Sequence, residues 1–206
     1  MTSDTSTLTV TRHSSLVTGH ITGLVLAGGM GRRMDSRDKG LVEFRGKPMV
    51  AHVIERLAPQ VDSLMINANR SLAEYGAFDY PVISDEVGGF AGPLAGLHAG
   101  LKRCVTPFIV TAPCDSPFLP LDLVARLYEA LQENIAELAV AKTGDQAQPV
   151  FALYSAALLP SLSQFLESGG RKIDAWYSTH RVVEVPFADA SAFANINTIA
   201  ELKALQ

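Results

Sequence analysis

The segment 26–41 carries the residues of this chain that are best suited to bind phosphate. It reads LAGGMGRRMDSRDKGL. Its glycines let backbone N–H groups converge on an anion because no Cβ stands in the way, and its basic side chains supply the charge that phosphate needs. The glycines are Gly28, Gly29 and Gly31, and the basic residues are Arg32, Arg33, Arg37 and Lys39. The segment therefore predicts a polyphosphate site; the alternative is a surface loop with no ligand.

Two common phosphate-binding fingerprints do not fit this segment. It lacks the Gly-Lys-Thr or Gly-Lys-Ser ending of a P-loop. It also departs from the dinucleotide fingerprint, because Gly31 is not followed by a third glycine at the required spacing and no acidic residue ends the next strand. The segment has to bind phosphate in some other way.

Alternating strands and helices must position this segment. Repeated strand–helix units predict an α/β fold with an open, mostly parallel sheet and helices on both faces. Ligands of such sheets bind outside the carboxyl ends of the strands. We predict strands at 21–26, 63–67, 80–85, 107–112, 137–142, 149–154 and 182–185, helices at 48–57, 94–101, after Pro120, at 156–167 and at 171–178, and a capping box from Thr198 to Glu201.

Composition restricts the class of protein. The 206 residues are 48% apolar and 18% charged, which excludes a disordered chain. A net charge of −4 argues against a large nucleic-acid footprint. No apolar run is long enough to span a membrane, and the Ser- and Thr-rich start lacks the apolar stretch of a secretory signal. We expect a cytoplasmic chain with a flexible tail over 1–20 and a single domain over 21–206.

Cysteine and histidine usage excludes other site chemistries. The two cysteines, Cys104 and Cys114, cannot build a disulfide scaffold or a four-thiolate zinc site, and Cys114 is interpreted as a buried structural thiol. The histidines are isolated and none has a second histidine at ligand spacing. Trp176 is interpreted as a packing residue.

The segment 26–41 resembles the signature of the molybdenum cofactor guanylyltransferases, a branch of the nucleotidyltransferases with a Rossmann-like fold. Its Asp-Lys-Gly-Leu ending is the most telling part, and the resemblance spans 21–206. Asp35-Ser36 departs from the pair of glycines usual in the family, and an acidic residue there should weaken anion binding slightly. Further motifs match in the same order: Gly46-Lys47-Pro48, Asn67-Ala68-Asn69-Arg70, Gly92-Pro93-Leu94-Ala95-Gly96, Pro113-Cys114-Asp115-Ser116-Pro117 and Asn195-Ile196-Asn197-Thr198.

The resemblance implies transfer of GMP from GTP to the terminal phosphate of molybdopterin, with release of pyrophosphate. The acceptor phosphate is already a nucleophile, so catalysis can rest on alignment and charge neutralisation. Lys39 is expected to contact the triphosphate, with Arg33 as a second candidate. Asp115 matches the family aspartate that binds the metal, and Mg²⁺ is the expected cofactor.

The implied substrate contacts divide between the two halves of the chain. The N-terminal half is expected to bind GTP and the later half the acceptor. Asp85 could accept from the guanine edge or from ribose hydroxyls. The expected GTP-binding residues are Leu26, Ala27, Gly28, Gly29, Gly31, Lys39, Asn67, Asp85 and Asp115, and the acceptor candidates are Arg171, Lys172, Asn195 and Asn197, for each of which a surface or turn role is an equal alternative.

Two further classes of function remain open at this point. One is a related enzyme on the same scaffold, such as a molybdopterin cytidylyltransferase or a sugar-phosphate nucleotidyltransferase. The other is a noncatalytic module that binds the nucleotide or delivers the cofactor. Transient contacts with molybdenum-insertion proteins and with apo-molybdoenzymes or their chaperones fit the main hypothesis, since a labile product gains from direct transfer.

Overall fold

The computed structural model describes residues 20–27, 38–88, 92–198 and 201–202. Seven strands form the central sheet and two short strands form a separate hairpin. The strands are β1 Ile21–Leu26, β2 Glu43–Phe44, β3 Lys47–Pro48, β4 Ser63–Asn67, β5 Val82–Ile83, β6 Phe108–Pro113, β7 Leu138–Thr143, β8 Gln146–Ser155 and β9 Val182–Phe187. The α-helices are α1 Met49–Leu57, α2 Leu72–Gly76, α3 Pro93–Arg103, α4 Leu123–Glu133, α5 Leu159–Glu167 and α6 Ile173–Tyr177.

The order of strands in the main sheet is β5-β4-β1-β6-β8-β7-β9. β1 pairs in parallel with β4 on one side and with β6 on the other, and β4 pairs in parallel with β5. The chain thus runs outward from β1 to β5 and then crosses back to β6. This reversal places the topological switch point between β1 and β6, where α/β sheets bind their ligands.

Alternating side chains of the strands build one apolar core on each face of the sheet. In β1, Val25 packs with α1 and α4, whereas Leu24 packs with α3, α5 and α6. In β7, Ala139 belongs to the same core as Val25, and Val140 belongs to the same core as Leu24. Strands buried on both faces require apolar residues at consecutive positions, which is the pattern of the sequence. The predicted α/β architecture with a mostly parallel sheet is confirmed.

β8 was predicted as a strand over 149–154, but it starts at Gln146 and runs antiparallel to both β6 and β7. The β2–β3 hairpin and the five-residue helix α2 were not predicted. Pro48 is the N-cap of α1 rather than its first helical residue. None of these changes the ends of the strands around the switch point.

Some predictions lie wholly or partly outside the described residues. The expected tail over 1–20 is described only at His20, and positions 28–37 of the predicted phosphate-binding segment lie outside the described residues. The capping bonds near the end of the chain are present: Thr198 N donates to Glu201 Oε2 at 3.2 Å, and Glu201 N donates to Thr198 Oγ1 at 3.1 Å. Among the described residues no helix has the length and apolarity to cross a bilayer.

Candidate active site

Four parallel strands end side by side at one edge of the sheet. Leu26 of β1 is in register with Asn67 of β4 and with Pro113 of β6, and Asn67 is in register with Ile83 of β5. Backbone bonds extend this alignment past the strands, because Ala27 N donates to Asn67 O at 2.8 Å and Cys114 N donates to Leu26 O at 3.1 Å. The residues that follow these strands are therefore held together over one crevice.

Lys39 lines this crevice. Its Nζ atom is 3.3 Å from Oδ2 of Asp115 and donates a hydrogen bond of 2.6 Å to Oδ1 of Asn197. The lysine and aspartate side chains are 24% and 11% exposed, so both face the crevice rather than bulk solvent. A half-shielded cation beside a carboxylate is an arrangement that can bind a complex of phosphate and a divalent metal.

The segment 195–197 returns from the far end of the chain to hold the turn after β6. Asn195 Oδ1 and Ser116 Oγ are 2.5 Å apart, and Ile196 N donates to the carbonyl of Asp115 at 2.9 Å. The Ile196 side chain is buried in a small cluster with Phe44 and Met49. The backbone on both sides of the Asp115 carboxylate is thus fixed by tertiary contacts.

The turn that carries Lys39 rests on Tyr75. Asp38, Lys39 and Gly40 begin a single 3-10 turn, and the fully buried hydroxyl of Tyr75 donates a 2.5 Å hydrogen bond to Oδ1 of Asp38. A Cβ on Gly40 would lie 2.5 Å from the Tyr75 hydroxyl and 3.1 Å from Sγ of Cys114. Only glycine allows this close approach, which explains the glycine in the Asp-Lys-Gly-Leu run.

Burial sets the ionisation of the groups beneath the turn. It raises the pKa of Tyr75 and of Cys114, so both remain protonated at neutral pH. Burial also raises the pKa of Asp38, and the Tyr75 hydrogen bond and the charge of Arg70 act against that increase. Cys114 is 6% exposed, which agrees with its interpretation as a structural thiol.

A network of amides orients Asp85 at the other end of the crevice. Asn67 Nδ2 donates to Oδ1 of Asp85 at 2.9 Å, and Asn69 Nδ2 donates to Oδ2 at 2.8 Å. Asn69 Oδ1 in turn accepts from the backbone N–H of Asp85 at 2.9 Å. The three side chains thus form one hydrogen-bonded group that can bind the polar edge of a nucleobase or the hydroxyls of a sugar.

Helix α3 approaches the strand ends at a glycine. A Cβ on Gly96 would collide with the Asn67 amide and would lie 2.7 Å from Cδ2 of Leu26. One turn further on, a Cβ on Gly100 would lie 2.6 Å from Cδ2 of Leu24. The small residues of this helix therefore allow close packing against β1 and β4.

The crevice has a volume of about 720 Å³ and gathers most of the described candidate residues. Gly28, Gly29, Gly31 and Arg33 lie outside the described residues. Predicted residues that line the crevice are Leu26, Ala27, Lys39, Asn67, Asp85, Asp115, Asn195 and Asn197, which come from both halves of the chain.

Arg171 and Lys172 do not line the crevice. The Arg171 guanidinium donates to the carbonyls of Leu166 and Gly170 and so stabilises the end of α5. Lys172 is the N-cap of α6. The structure thus brings the two asparagines of the predicted acceptor set to the site and leaves the two basic residues elsewhere.

Three lining residues with charged or amide side chains were not predicted as site residues. Asp38, Asn69 and Arg70 all face the crevice. Asp38 directly precedes Lys39, and Asn69 follows Asn67 at the spacing of side chains that share one face of an extended chain. The sequence positions of Asp38 and Asn69 thus indicated a place near the site. Only their contacts with Tyr75 and Asp85 in the folded chain show what the two side chains do.

The donor set at Asp115 fits Mg²⁺. The described residues contain no cluster of three or more potential protein ligands. Mg²⁺ is usually bound through one or two carboxylates together with substrate phosphates and water, rather than by a cage of protein side chains. Asp115 lies just after the C-terminal end of β6, and the whole residue is 8% exposed. Its carboxylate offers a site of that kind.

The sheet order and the site at its switch point define a Rossmann-like α/β fold, and the family match places it among the nucleotidyltransferases. Residues 23–182 match the profile of the MobA-like NTP transferase domain, and the chain belongs to that family. This match confirms at the family level the resemblance found in the sequence motifs.

The named relatives support membership of this family. The molybdenum cofactor guanylyltransferase of Cupriavidus taiwanensis is 57% identical over 189 residues, which cover 89% of this chain and 95% of that protein. The enzyme of the same name from Ralstonia nicotianae is 55% identical over 91% of this chain and 97% of its own length. A solved structure, the molybdopterin-guanine dinucleotide biosynthesis protein A of Archaeoglobus fulgidus, superposes with a TM-score of 0.73 at 27% identity and covers 89% of this chain and 96% of its own.

Proposed function

We propose that this chain transfers GMP from GTP to the terminal phosphate of molybdopterin and releases pyrophosphate. The observation that carries the proposal is the contact of Lys39 Nζ with Asp115 Oδ2, 3.3 Å apart at the switch point of the sheet. A cation and a metal-binding carboxylate side by side suit a triphosphate complexed with Mg²⁺. The names of the relatives supply the choice of GTP and of the acceptor.

Lys39 binds the triphosphate and neutralises charge as pyrophosphate leaves. An ammonium has three N–H donors, and the described contacts of Lys39 with Asp115 and Asn197 use two of them. The third donor is directed to a phosphate oxygen of GTP. Because negative charge grows on the leaving group, this interaction is stronger in the transition state than in the ground state.

Asp115 is the residue that would hold Mg²⁺. Its backbone carbonyl accepts from Ile196 N, so the carboxylate is positioned before any ligand arrives. The ion supplies further neutralisation of the phosphates and helps to align them. Arg33, whose position is outside the described residues, is kept as a second cation for the triphosphate.

The bond changes need no covalent enzyme intermediate. An oxygen of the acceptor phosphate forms a bond to the α-phosphorus of GTP. The bond from that phosphorus to the oxygen bridging to the β-phosphorus breaks, and its electron pair leaves with pyrophosphate. The protein aligns the two phosphates in line and stabilises charge, and Cys114 stays protonated and buried.

Asp85, oriented by Asn67 and Asn69, recognises the nucleoside. Its carboxylate is suited to accept from the N1–H and N2–H₂ edge of guanine, or from the ribose hydroxyls. The first contact would select guanine over adenine, whereas the second would bind any ribonucleotide. Asn195 and Asn197, on the side of the crevice supplied by the later half of the chain, are proposed to contact the acceptor.

Pyrophosphate release tests this proposal. The wild-type chain is incubated with molybdopterin, Mg²⁺ and GTP, ATP or CTP in turn, and calorimetry measures the binding of each nucleotide without the acceptor. Turnover and tight binding with GTP alone are expected. Turnover with CTP and none with GTP would favour a cytidylyltransferase, and GTP binding without turnover would favour a noncatalytic module.

A further inference from the structure

We infer that the hydroxyl of Tyr75 is a positioning group for Lys39, acting through its hydrogen bond to Asp38. The inference deepens the proposed function, on which the role of Lys39 in catalysis rests. Its geometric part, that Tyr75 fixes the position of the ammonium, stands on the contacts of the described residues alone.

Tyr75 contacts the turn that carries Lys39 at two points. Its hydroxyl donates to Oδ1 of Asp38 at 2.5 Å, and the backbone of Gly40 lies so close that an added Cβ would come within 2.5 Å of the same oxygen. The two contacts flank Lys39 in sequence. A single buried oxygen thus donates a hydrogen bond to the residue before the lysine and lies close to the backbone of the residue after it.

The support under Tyr75 is rigid. Tyr75 is fully buried and belongs to the same apolar core as α1 and the ends of β1 and β6. Its phenol has two side-chain torsions, both fixed by this packing. The hydroxyl can therefore act as a fixed point against which the more exposed turn is held.

The backbone of the turn is closed by its own hydrogen bonds. Asp38 O accepts from Leu41 N at 3.0 Å, and Lys39 O accepts from Val42 N at 3.2 Å. These bonds close the 3-10 turn but do not attach it to the sheet. The bond from Tyr75, the contacts of Lys39 with Asp115 and Asn197, and the packing of Leu41 against the core are tertiary contacts that do so.

Helix α2 also connects this turn to the nucleoside end of the crevice. Asn69 and Arg70 line the crevice just before α2 begins, and the charge of Arg70 acts on Asp38. Residues that face the nucleoside and the residue that supports Lys39 thus lie within one short segment, 69–75. A shift of this segment would move Lys39.

Tyr75→Phe removes the hydroxyl and keeps the ring. Tyr154→Phe is the matched control, because Tyr154 is also fully buried and donates to a backbone carbonyl, that of Pro149, away from Lys39. The first measurement is the rate at which limiting acetic anhydride acetylates Lys39, read by peptide mass spectrometry. Lys142, paired with Glu184 on β7 and β9, is the internal reference.

We expect Tyr75→Phe to raise the Lys39 acetylation rate by about threefold or more, because an ammonium released from its acceptors is more accessible. Tyr154→Phe should leave that rate unchanged. Asp38→Ala, which removes the other partner of the bond, should raise the rate to a similar extent, and the double variant should add little to either. Equal Lys39 rates in the wild type, Tyr75→Phe and Asp38→Ala would overturn the inference.

The second measurement separates positioning from simple stability. Tyr75→Phe should lower kcat by about tenfold with KM for GTP within about twofold, because the lost interaction matters most in the transition state. A lower melting temperature with unchanged kcat would overturn the positioning role. If the wild type shows no turnover with GTP, the proposed function fails, and the acetylation rates still decide whether Tyr75 positions Lys39.

Discussion

Lys39 and Asp115 are 76 residues apart in sequence, and their side chains meet at 3.3 Å over the ends of β1 and β6. The turn after β1 supplies the cation and the turn after β6 supplies the carboxylate. The contact therefore depends on the parallel pairing of these two strands, which places Leu26 opposite Pro113. The switch point of the sheet assembles the proposed catalytic pair.

Removing the cation should affect turnover far more than stability. Lys39→Ala is expected to lower kcat by about 100-fold, because the ammonium stabilises charge that develops in the transition state. Lys142→Ala is the matched control, since it removes a lysine that is paired with Glu184 and does not line the crevice. Pyrophosphate release measures both. A loss of less than a few-fold in Lys39→Ala would refute the role given to this residue.

Neutralising Asp115 should abolish the dependence on Mg²⁺ along with the activity. Asp115→Asn keeps the size of the side chain and the backbone bond from Ile196, but an amide is a poorer ligand for a hard cation. We expect turnover to fall by about 100-fold or more while the melting temperature changes little. Full activity of this variant at low Mg²⁺ would show that the metal is held elsewhere.

The role of Asp85 can be decided by nucleotide selectivity. Asp85→Asn places an amide NH₂ opposite the donor of either Asn67 or Asn69, so one of the two side-chain hydrogen bonds that orient Asp85 is lost. If the carboxylate reads guanine, the preference for GTP over ATP in calorimetric titration should fall by about tenfold. Equal weakening of both nucleotides would instead assign the contact to ribose.

The close packing of α3 on the sheet makes a prediction about stability. Gly96→Ala should destabilise the fold by about 1–3 kcal/mol, because the new Cβ would collide with Asn67 and crowd Leu26. Gly76→Ala is the control, since a Cβ there has no neighbour within 4 Å. Chemical denaturation measures both variants. Equal stability of the two would contradict the packing described for α3.

His98 should make the stability depend on pH below neutrality. Ser163 Oγ donates to Leu159 O, so it accepts from Nε2 of His98, whereas Nδ1 is buried and without a partner among the described residues. Burial lowers the pKa of His98 in the folded chain below its ordinary value of 6.5. The unfolded chain therefore binds the proton more readily, and the free energy of unfolding falls as pH drops through 6.5 towards the folded-state pKa.

The variant His98→Gln tests this pH dependence, because glutamine does not titrate and can still donate to Ser163. Its free energy of unfolding should change less between pH 7.5 and 5.5 than that of the wild type. Identical pH profiles would show that His98 is not the group responsible.

The strands around the switch point could be predicted because each is an apolar run that ends in glycine, proline or a polar residue. β8 was predicted too short, and its direction was missed. Gly144, at φ 54°, and Asp145 lie between β7 and β8, and Gly-Asp is a typical two-residue hairpin turn. Because the two strands were predicted only up to 142 and from 149 onward, Gly144-Asp145 was not identified as a hairpin turn between them.

The site could be predicted only in part, because its contacts are long-range. Asn197 meets Lys39 across 158 positions, and no local pattern indicates that pairing. Arg171 and Lys172 were chosen for their charge, yet the guanidinium of Arg171 caps α5. Charge alone does not reveal whether a residue will lie near the carboxyl ends of the strands, whereas a position at the end of a parallel strand does.

Transfer of label from GTP tests the central claim most directly. GTP labelled at the α-phosphate or at the γ-phosphate is incubated with molybdopterin, Mg²⁺ and either the wild type or Asp115→Asn, and the products are separated. The account predicts that the wild type places the α-label in a guanine dinucleotide of molybdopterin and the γ-label in pyrophosphate, and that Asp115→Asn forms neither product at a comparable rate. Label in free phosphate, or a dinucleotide formed equally well by the variant, would contradict it.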